Sequence, residues 1–125
     1  MSTARALAAG HLGVQAVAVP VWWAGLRLSP TFRRPFELGD PAVLDSFAPG
    51  DVVLALTSAA AAVLVRAGHP AAAPAAGVVT AVVGWSTVRT VRCAAASRSG
   101  GLGVLAMTAA TAGSAVAWVL ARSTR

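Results

Sequence analysis

The sequence predicts an all-α fold: a four-helix transmembrane bundle with a structured interfacial loop between its first two spans. Of the 125 residues only 11% are charged and 57% are hydrophobic, and the mean hydropathy is +0.72, whereas soluble domains are about one-quarter charged. Four stretches are apolar enough to form the helix of about 20 residues that crosses a bilayer. All four carboxylates lie in one segment, residues 33–51, which predicts one polar region outside the spans.

The first predicted span is residues 6–26. It ends in Trp22 and Trp23 followed by Arg27, and these residue types are typical of the level where a helix meets lipid headgroups. A secretory signal peptide is the alternative interpretation, but no small-residue cleavage site follows the apolar stretch. We therefore expect this segment to be the first helix of the bundle.

The other predicted spans are residues 52–68, 71–92 and 102–121, and together the four form one integral membrane domain. Pro74 is compatible with the third span because the amides of a first helical turn have no helical partner. Short connections separate these three spans. Neighbours along the chain are therefore expected to be antiparallel.

The connection between the first two spans, residues 27–51, is longer than most loops of compact domains. Its apolar content predicts an ordered cover over the bundle, with short interfacial helices at about 30–35 and 41–47. Ser29, Asp40 and Asp51 are expected to be structural N-caps, because a hydroxyl or carboxylate oxygen accepts the free amide hydrogens of a helix start.

Capping does not explain the other two carboxylates of this loop. With the neighbouring arginines they form a candidate polar site: Arg33, Arg34, Glu37 and Asp45. Carboxylates and guanidinium groups under a partly dry cover can hold a polar head group or transfer a proton. The alternative is that these residues form ion pairs that fix the loop at the interface.

His11 and Gln15 extend this candidate site. They lie four residues apart on the first span, so they share one helical face, and polar side chains at this depth usually face the bundle interior. The alternative is that His11 lies at headgroup depth and Gln15 bonds to a neighbouring helix.

Arg89 and Arg92, one turn apart on the third span, are a candidate site for an anionic head group, or alternatively an interfacial anchor.

Small residues form rows on the third and fourth spans, and such rows are typical of closely packed membrane helices. The rows are Ala72, Ala76, Thr80 and Gly84, and Ala109, Gly113 and Ala117.

The composition argues against several classes of protein. All ten basic residues are arginines at the ends of apolar runs, so no nucleic-acid partner is expected. One cysteine and two distant histidines provide no metal site and no paired-cysteine redox centre, and no cofactor motif is present. The first span contains no acid, whereas small multidrug exporters need a membrane-embedded glutamate there.

The order of these features resembles small four-span bacterial membrane proteins of no assigned activity. The resemblance lies in the tryptophan-ended first span, the loop SPTFRRPFELGDPAVLDSFAPGDVVL, and three further spans with GG before the last. It covers most of the chain and contains no catalytic signature. It implies a topology and no activity.

We expect a non-catalytic subunit, anchor or assembly partner in the cell membrane, in contact with lipid and with a second copy or another membrane protein. The alternative is a membrane-embedded enzyme or binder for a lipophilic molecule whose charged head is held by the 33–51 loop. Six arginines on the loop side against four on the other favour a cytoplasmic loop, with both termini outside.

Overall fold

The computed structural model describes residues 1–124, and over that range the chain consists of helices and turns without a β-strand. The helices are α1 (Thr3–Leu28), α2 (Pro30–Arg33), α3 (Pro41–Asp45), α4 (Ala48–Arg66), α5 (Ala72–Ser97) and α6 (Gly101–Ser123), and a 3₁₀ turn, Arg34–Phe36, follows α2. The predicted all-α class is confirmed, and α1, α4, α5 and α6 correspond to the four predicted spans.

The four long helices form a ring in which α1 packs against α4 and α6, and α5 packs against the same two helices. The interior between them is built largely of alanine and valine, including Ala61, Ala76, Val79 and Val83, all essentially inaccessible to solvent. Small side chains allow helices to approach closely and to gain dispersion contacts. The bundle is therefore held together by many close backbone approaches rather than by bulky residues.

Three segments are long and apolar enough to cross a membrane: Thr3–Leu28, Pro41–Arg66 and Gly101–Ser123. The second of these comprises α3 and α4 together. The fourth long helix, α5, has 26 residues but is less apolar than the others, because threonine, serine and glycine dilute its valines and it contains Arg89 and Arg92. The crossing of a membrane by α5 stays a prediction.

The small-residue rows pack partly inside the chain itself, whereas Ala109 is exposed. Ala72, Ala76 and Ala117 are buried in the core of the bundle. A Cβ atom at Gly113 would collide with the imidazole ring of His11, so glycine at this position leaves room for that ring between α1 and α6. The predicted close packing is present, and it joins helices of one chain.

Two helix boundaries differ from the sequence predictions by four residues or more. Helix α4 begins at Ala48, four residues before the predicted span, and its N-cap is Phe47, which makes no side-chain cap bond. The prediction of Asp51 as the N-cap is therefore wrong. Pro49 is the physical reason: it occupies one of the first two helical positions, where its missing amide hydrogen costs nothing, so the helix starts ahead of it.

Helix α5 continues to Ser97, five residues beyond its predicted end. The arginines near that end do not terminate a helix. Termination occurs where Arg98 adopts a left-handed conformation with φ of 55°, and α6 then begins after Gly100, with φ of 78°. Glycine adopts such angles without steric cost.

The segment between α1 and α4 covers one end of the bundle. Its apolar side chains join the end of α1 in a second core of large residues: Trp23, Leu26, Phe36, Leu38, Leu44 and Phe47. The Ser99 hydroxyl of the α5–α6 turn donates a hydrogen bond of 3.0 Å to the Glu37 carbonyl, which fixes the cover from the opposite side. The two short helices predicted for this loop are confirmed as α2 with its 3₁₀ turn and as α3.

Candidate functional site

A cavity of about 430 Å³ lies between α1 and α6 beneath the covering loop. Small-molecule sites typically occupy about 300–1,000 Å³ and have mostly apolar walls. The walls here are apolar for most of their extent. Helix α1 contributes Val14, Ala18, Val19 and Trp22, helix α6 contributes Ala106, Met107, Ala109 and Ala110, and the loop contributes Phe36, Leu38, Leu44 and Phe47.

The cavity opens sideways, between α1 and α6. Val14 lines it and is 68% exposed, and Ala18 on α1 and Ala106 and Ala109 on α6 are likewise both lining and exposed. The side chains contributed by the loop and by α4, among them Leu44 and Leu54, are buried. Access therefore comes from the lateral face of the bundle and not through the covered end.

One carboxylate faces this cavity. Asp51, in the first turn of α4, is only 5% exposed, and its Oδ2 accepts a hydrogen bond of 2.6 Å from the indole Nε1 of Trp23. Its Oδ1 has no hydrogen-bond partner within residues 1–124. We call Trp23 and Asp51 the cavity pair. None of the arginines at positions 1–124 lines the cavity, so the carboxylate has no cationic neighbour there.

A network of neutral polar groups lies further along the same cavity. Gln15, 6% exposed, donates from Nε2 to the Ser58 hydroxyl at 3.0 Å, and its Oε1 accepts from the Ser114 hydroxyl at 3.2 Å. The His11 Nε2 is 3.4 Å from that same Ser114 oxygen. These bonds join α1, α4 and α6. Gln15 thus links helices, as one interpretation of the sequence expected, and both Gln15 and His11 also line the cavity.

The candidate polar residues of the loop form a separate group. The Arg33 Nε lies 2.5 Å from Glu37 Oε1, its Nη1 lies 2.9 Å from Asp45 Oδ1, and its Nη2 donates to the Pro41 carbonyl at 3.1 Å. Hydrogen bonding to Glu37 first, and to Asp45 second, raises the pKa of the Arg33 guanidinium above its already high ordinary value. We call Arg33, Glu37 and Asp45 the loop cluster.

The loop cluster does not line the cavity, so the structure does not bring these three residues together with His11 and Gln15. The loop is amphipathic, with Phe36, Leu38 and Leu44 turned inward. The intervening charged residues are left on the outer face, where they pair with each other. Arg34 is exposed and makes no ion pair within the described chain.

The remaining predicted residues have mainly structural contacts. Ser29 accepts a hydrogen bond from the Phe32 amide at 3.1 Å and Asp40 from the Ala42 amide at 2.9 Å, as expected of N-caps. The guanidinium of Arg89 lies over the Phe47 ring at 4.4 Å and its Nη2 is 3.5 Å from the Ser46 hydroxyl. Arg92 is exposed. An anion shared by the two arginines stays a prediction.

The sequence reasoning missed the cavity pair. Asp51 stands directly before an apolar run, which is the ordinary position of a cap, and its indole partner is 28 residues away. Pro49 was the available signal, since a proline two residues ahead favours an earlier helix start. With that start, Asp51 falls inside the helix, where a carboxylate needs another explanation.

Within residues 1–124 no group of three or more His, Cys, Asp or Glu side chains is placed to hold a metal ion. No protein-family model, curated protein or solved structure matches the chain. A function must therefore be argued from the site itself.

Proposed function

We propose that the chain is a multi-pass protein of the cell membrane that takes up a lipophilic molecule from the bilayer into the cavity between α1 and α6. The lateral mouth of that cavity is the observation on which the proposal rests. A cavity that opens on the lipid-facing side of a bundle is accessible to molecules dissolved in the bilayer and poorly accessible to those in water.

The outer surface of the bundle supports a membrane location. Large apolar side chains are exposed on every long helix, among them Val17, Leu56, Trp85 and Leu105, each more than 60% exposed. Soluble monomers rarely expose contiguous apolar patches larger than a few hundred Å². Lipid is the medium in which such a surface is stable.

A fourth crossing by α5 completes the proposed topology. Its 26 residues make a helix about 39 Å long, and the helix packs against α4 and α6, two of the apolar segments. Arg89 contacts the covering loop, so the charged end of α5 lies at the end of the bundle where the loop lies. The excess of arginines there favours a cytoplasmic loop and external termini.

A binding role is better supported than the role of subunit or anchor. Docking of other helices was expected on the rows of small residues, but Ala72, Ala76 and Ala117 are buried within the bundle and Gly113 contacts His11. The sequence analysis located the charged head of the ligand at the loop. We do not place it at Arg33, Glu37 and Asp45, because these residues pair with one another away from the cavity.

Native mass spectrometry of the chain purified in a mild detergent tests the proposal. We expect a small lipophilic molecule to remain bound to the wild-type protein. Ala110→Phe places a ring on the half-buried wall of the cavity and is expected to reduce occupancy at least tenfold, because it fills the space that the ligand occupies.

Ala112→Phe is the matched control, since Ala112 is exposed on the same helix and does not line the cavity. Occupancy should equal that of the wild type. Equal occupancy in the two variants, or a wild-type protein without any bound lipophile, would contradict the proposal. Stoichiometric recovery of another membrane protein in place of a ligand would favour the subunit role.

A further inference from the structure

The charge inside the cavity restricts the chemistry of its ligand. Within residues 1–124, Asp51 is the one cavity-lining residue with a carboxylate, and none of the lining residues carries a guanidinium. Phosphate and carboxylate head groups are bound by arginines or by clusters of amide donors, and here they would meet a like charge. The electrostatics therefore disfavour an anionic lipid.

The hydrogen bonds of Asp51 are incomplete. Trp23 supplies one donor, to Oδ2, while Oδ1 has no partner in the described chain, although the residue is only 5% exposed. Oδ1 is not enclosed by protein atoms, since the buried side-chain oxygen without a partner in the described chain is Glu37 Oε2 of the loop cluster, so Oδ1 is open to the cavity that Asp51 lines. A ligand with N–H donors would supply what this oxygen lacks.

The aromatic residues near the carboxylate favour a cation. Trp22 and Phe36 line the cavity and contact each other edge to face, with ring centroids 5.2 Å apart. Aromatic faces attract ammonium groups, and the attraction strengthens away from water. Phe47 makes such a contact with Arg89, so Trp22 and Phe36 are the rings left for a ligand.

We propose that the ligand is a single-chain amphiphile with a protonated amine head, bound by the Oδ1 atom of Asp51 beneath the covering loop. Its hydrocarbon tail runs along α1 toward His11 and Gln15 and meets the bilayer between Val14 and Ala109. Trp22 and His11 are eleven residues apart on α1, a rise of roughly 16 Å, so a chain of about that length fits. This inference rests on the proposed lateral binding function and adds the identity of the head group.

The test measures binding of radiolabelled dodecylamine, dodecanol and dodecanoic acid to the protein in phosphatidylcholine nanodiscs, with empty nanodiscs as the blank for partitioning. The three probes share one tail and differ in the head. Because a charge-assisted hydrogen bond is about twice as strong as a neutral one, we expect wild-type protein to bind the amine about tenfold more tightly than the alcohol. Binding of the acid should be weaker still.

Two variants test which carboxylate causes the preference for the amine. Asp51→Asn keeps the size of the side chain and is expected to abolish the preference for the amine while dodecanol binds as before. Asp45→Asn removes a carboxylate of the loop cluster, which does not line the cavity, and is expected to leave the affinity for the amine unchanged. The ratio of amine to alcohol in the wild type tests the inference even if Asp51→Asn fails to fold.

Equal affinity for amine and alcohol, or tightest binding of the acid, overturns the inference and leaves the lateral binding function standing. An equal loss in Asp45→Asn and Asp51→Asn also overturns it, because the attraction would then be a general surface effect. Absence of binding by all three probes overturns both the inference and the proposed function.

Discussion

The 33–51 segment places its carboxylates in two different environments, the loop cluster and the cavity pair. In the loop cluster each acid has a guanidinium partner, and Asp45 has a side chain 52% exposed. In the cavity pair, Asp51 is buried and has one neutral indole donor. Both acids of the loop cluster thus have a cationic partner, although Glu37 Oε2 is buried without a hydrogen-bond partner in the described chain, whereas Asp51 has no cationic partner there. A buried, incompletely paired charge is costly to maintain, and such groups are concentrated at functional sites.

The largest stability effect is expected from Trp23→Phe. The substitution keeps an aromatic ring in the second core and removes the single donor that Asp51 has within residues 1–124, which leaves a buried carboxylate unpaired. The free energy of unfolding should fall by about 2–3 kcal/mol, measured by denaturant titration in detergent micelles. Trp85→Phe, at an exposed tryptophan, is the control and should be nearly neutral.

Combining Trp23→Phe with Asp51→Leu sharpens this result. When both partners of a buried hydrogen bond are replaced by apolar groups, the cost is much smaller than when one is left unsatisfied. The double variant should therefore regain most of the lost stability. If it is less stable than Trp23→Phe alone, packing and not the unpaired carboxylate explains the loss.

An intermediate effect is expected from Gln15→Leu, which removes a buried, neutral group that is hydrogen-bonded at both its amide nitrogen and its amide oxygen. Polar bonds between membrane helices contribute about 0.6 kcal/mol on average and up to about 1.7, and Gln15 bonds to two serines. We expect a loss of about 1 kcal/mol by the same titration. Thr108→Val is the control, because the Thr108 hydroxyl bonds only within its own helix, and it should change stability less. An equal or larger change in Thr108→Val would rule out a special role for the hydrogen bonds of Gln15.

The smallest effect is expected from Asp45→Asn in the loop cluster. Exposed ion pairs contribute about 0.2–1 kcal/mol and are screened by salt. We expect a loss under about 0.5 kcal/mol that shrinks further when salt is added. A loss comparable to that of Trp23→Phe would remove the distinction between the two environments.

Much of the fold could be predicted from the sequence because apolar stretches bounded by arginine and tryptophan allow few alternatives. Helix ends were less predictable, since they depend on single residues with special backbone properties. Helix α4 starts earlier than predicted because of Pro49, and α5 ends where Arg98 adopts a left-handed backbone conformation. Hydropathy does not record either effect.

The spacing of four residues predicts that His11 and Gln15 share one inward face of α1, and both line the cavity. The grouping of Arg33 with Glu37 and Asp45 rests on their closeness within the loop, and the structure brings these three together. Arg34 is one residue further along and is exposed outside the cluster, so closeness in sequence was misleading there. The pairing of Trp23 with Asp51 depends on the packing of α1 against α4, which no local rule predicts.

The central claim, an amphiphile bound at the cavity pair, is tested most directly by the indole N–H signals of the four tryptophans in NMR spectra. The labelled protein would be titrated with dodecylamine in bicelles, with signals assigned by single Trp→Phe substitutions. Trp22 lines the cavity and Trp23 bonds to Asp51, whereas Trp85 and Trp118 are exposed outside it. We predict saturable shifts of the first two signals alone. Equal shifts of all four, or none at Trp22 and Trp23, would contradict the account.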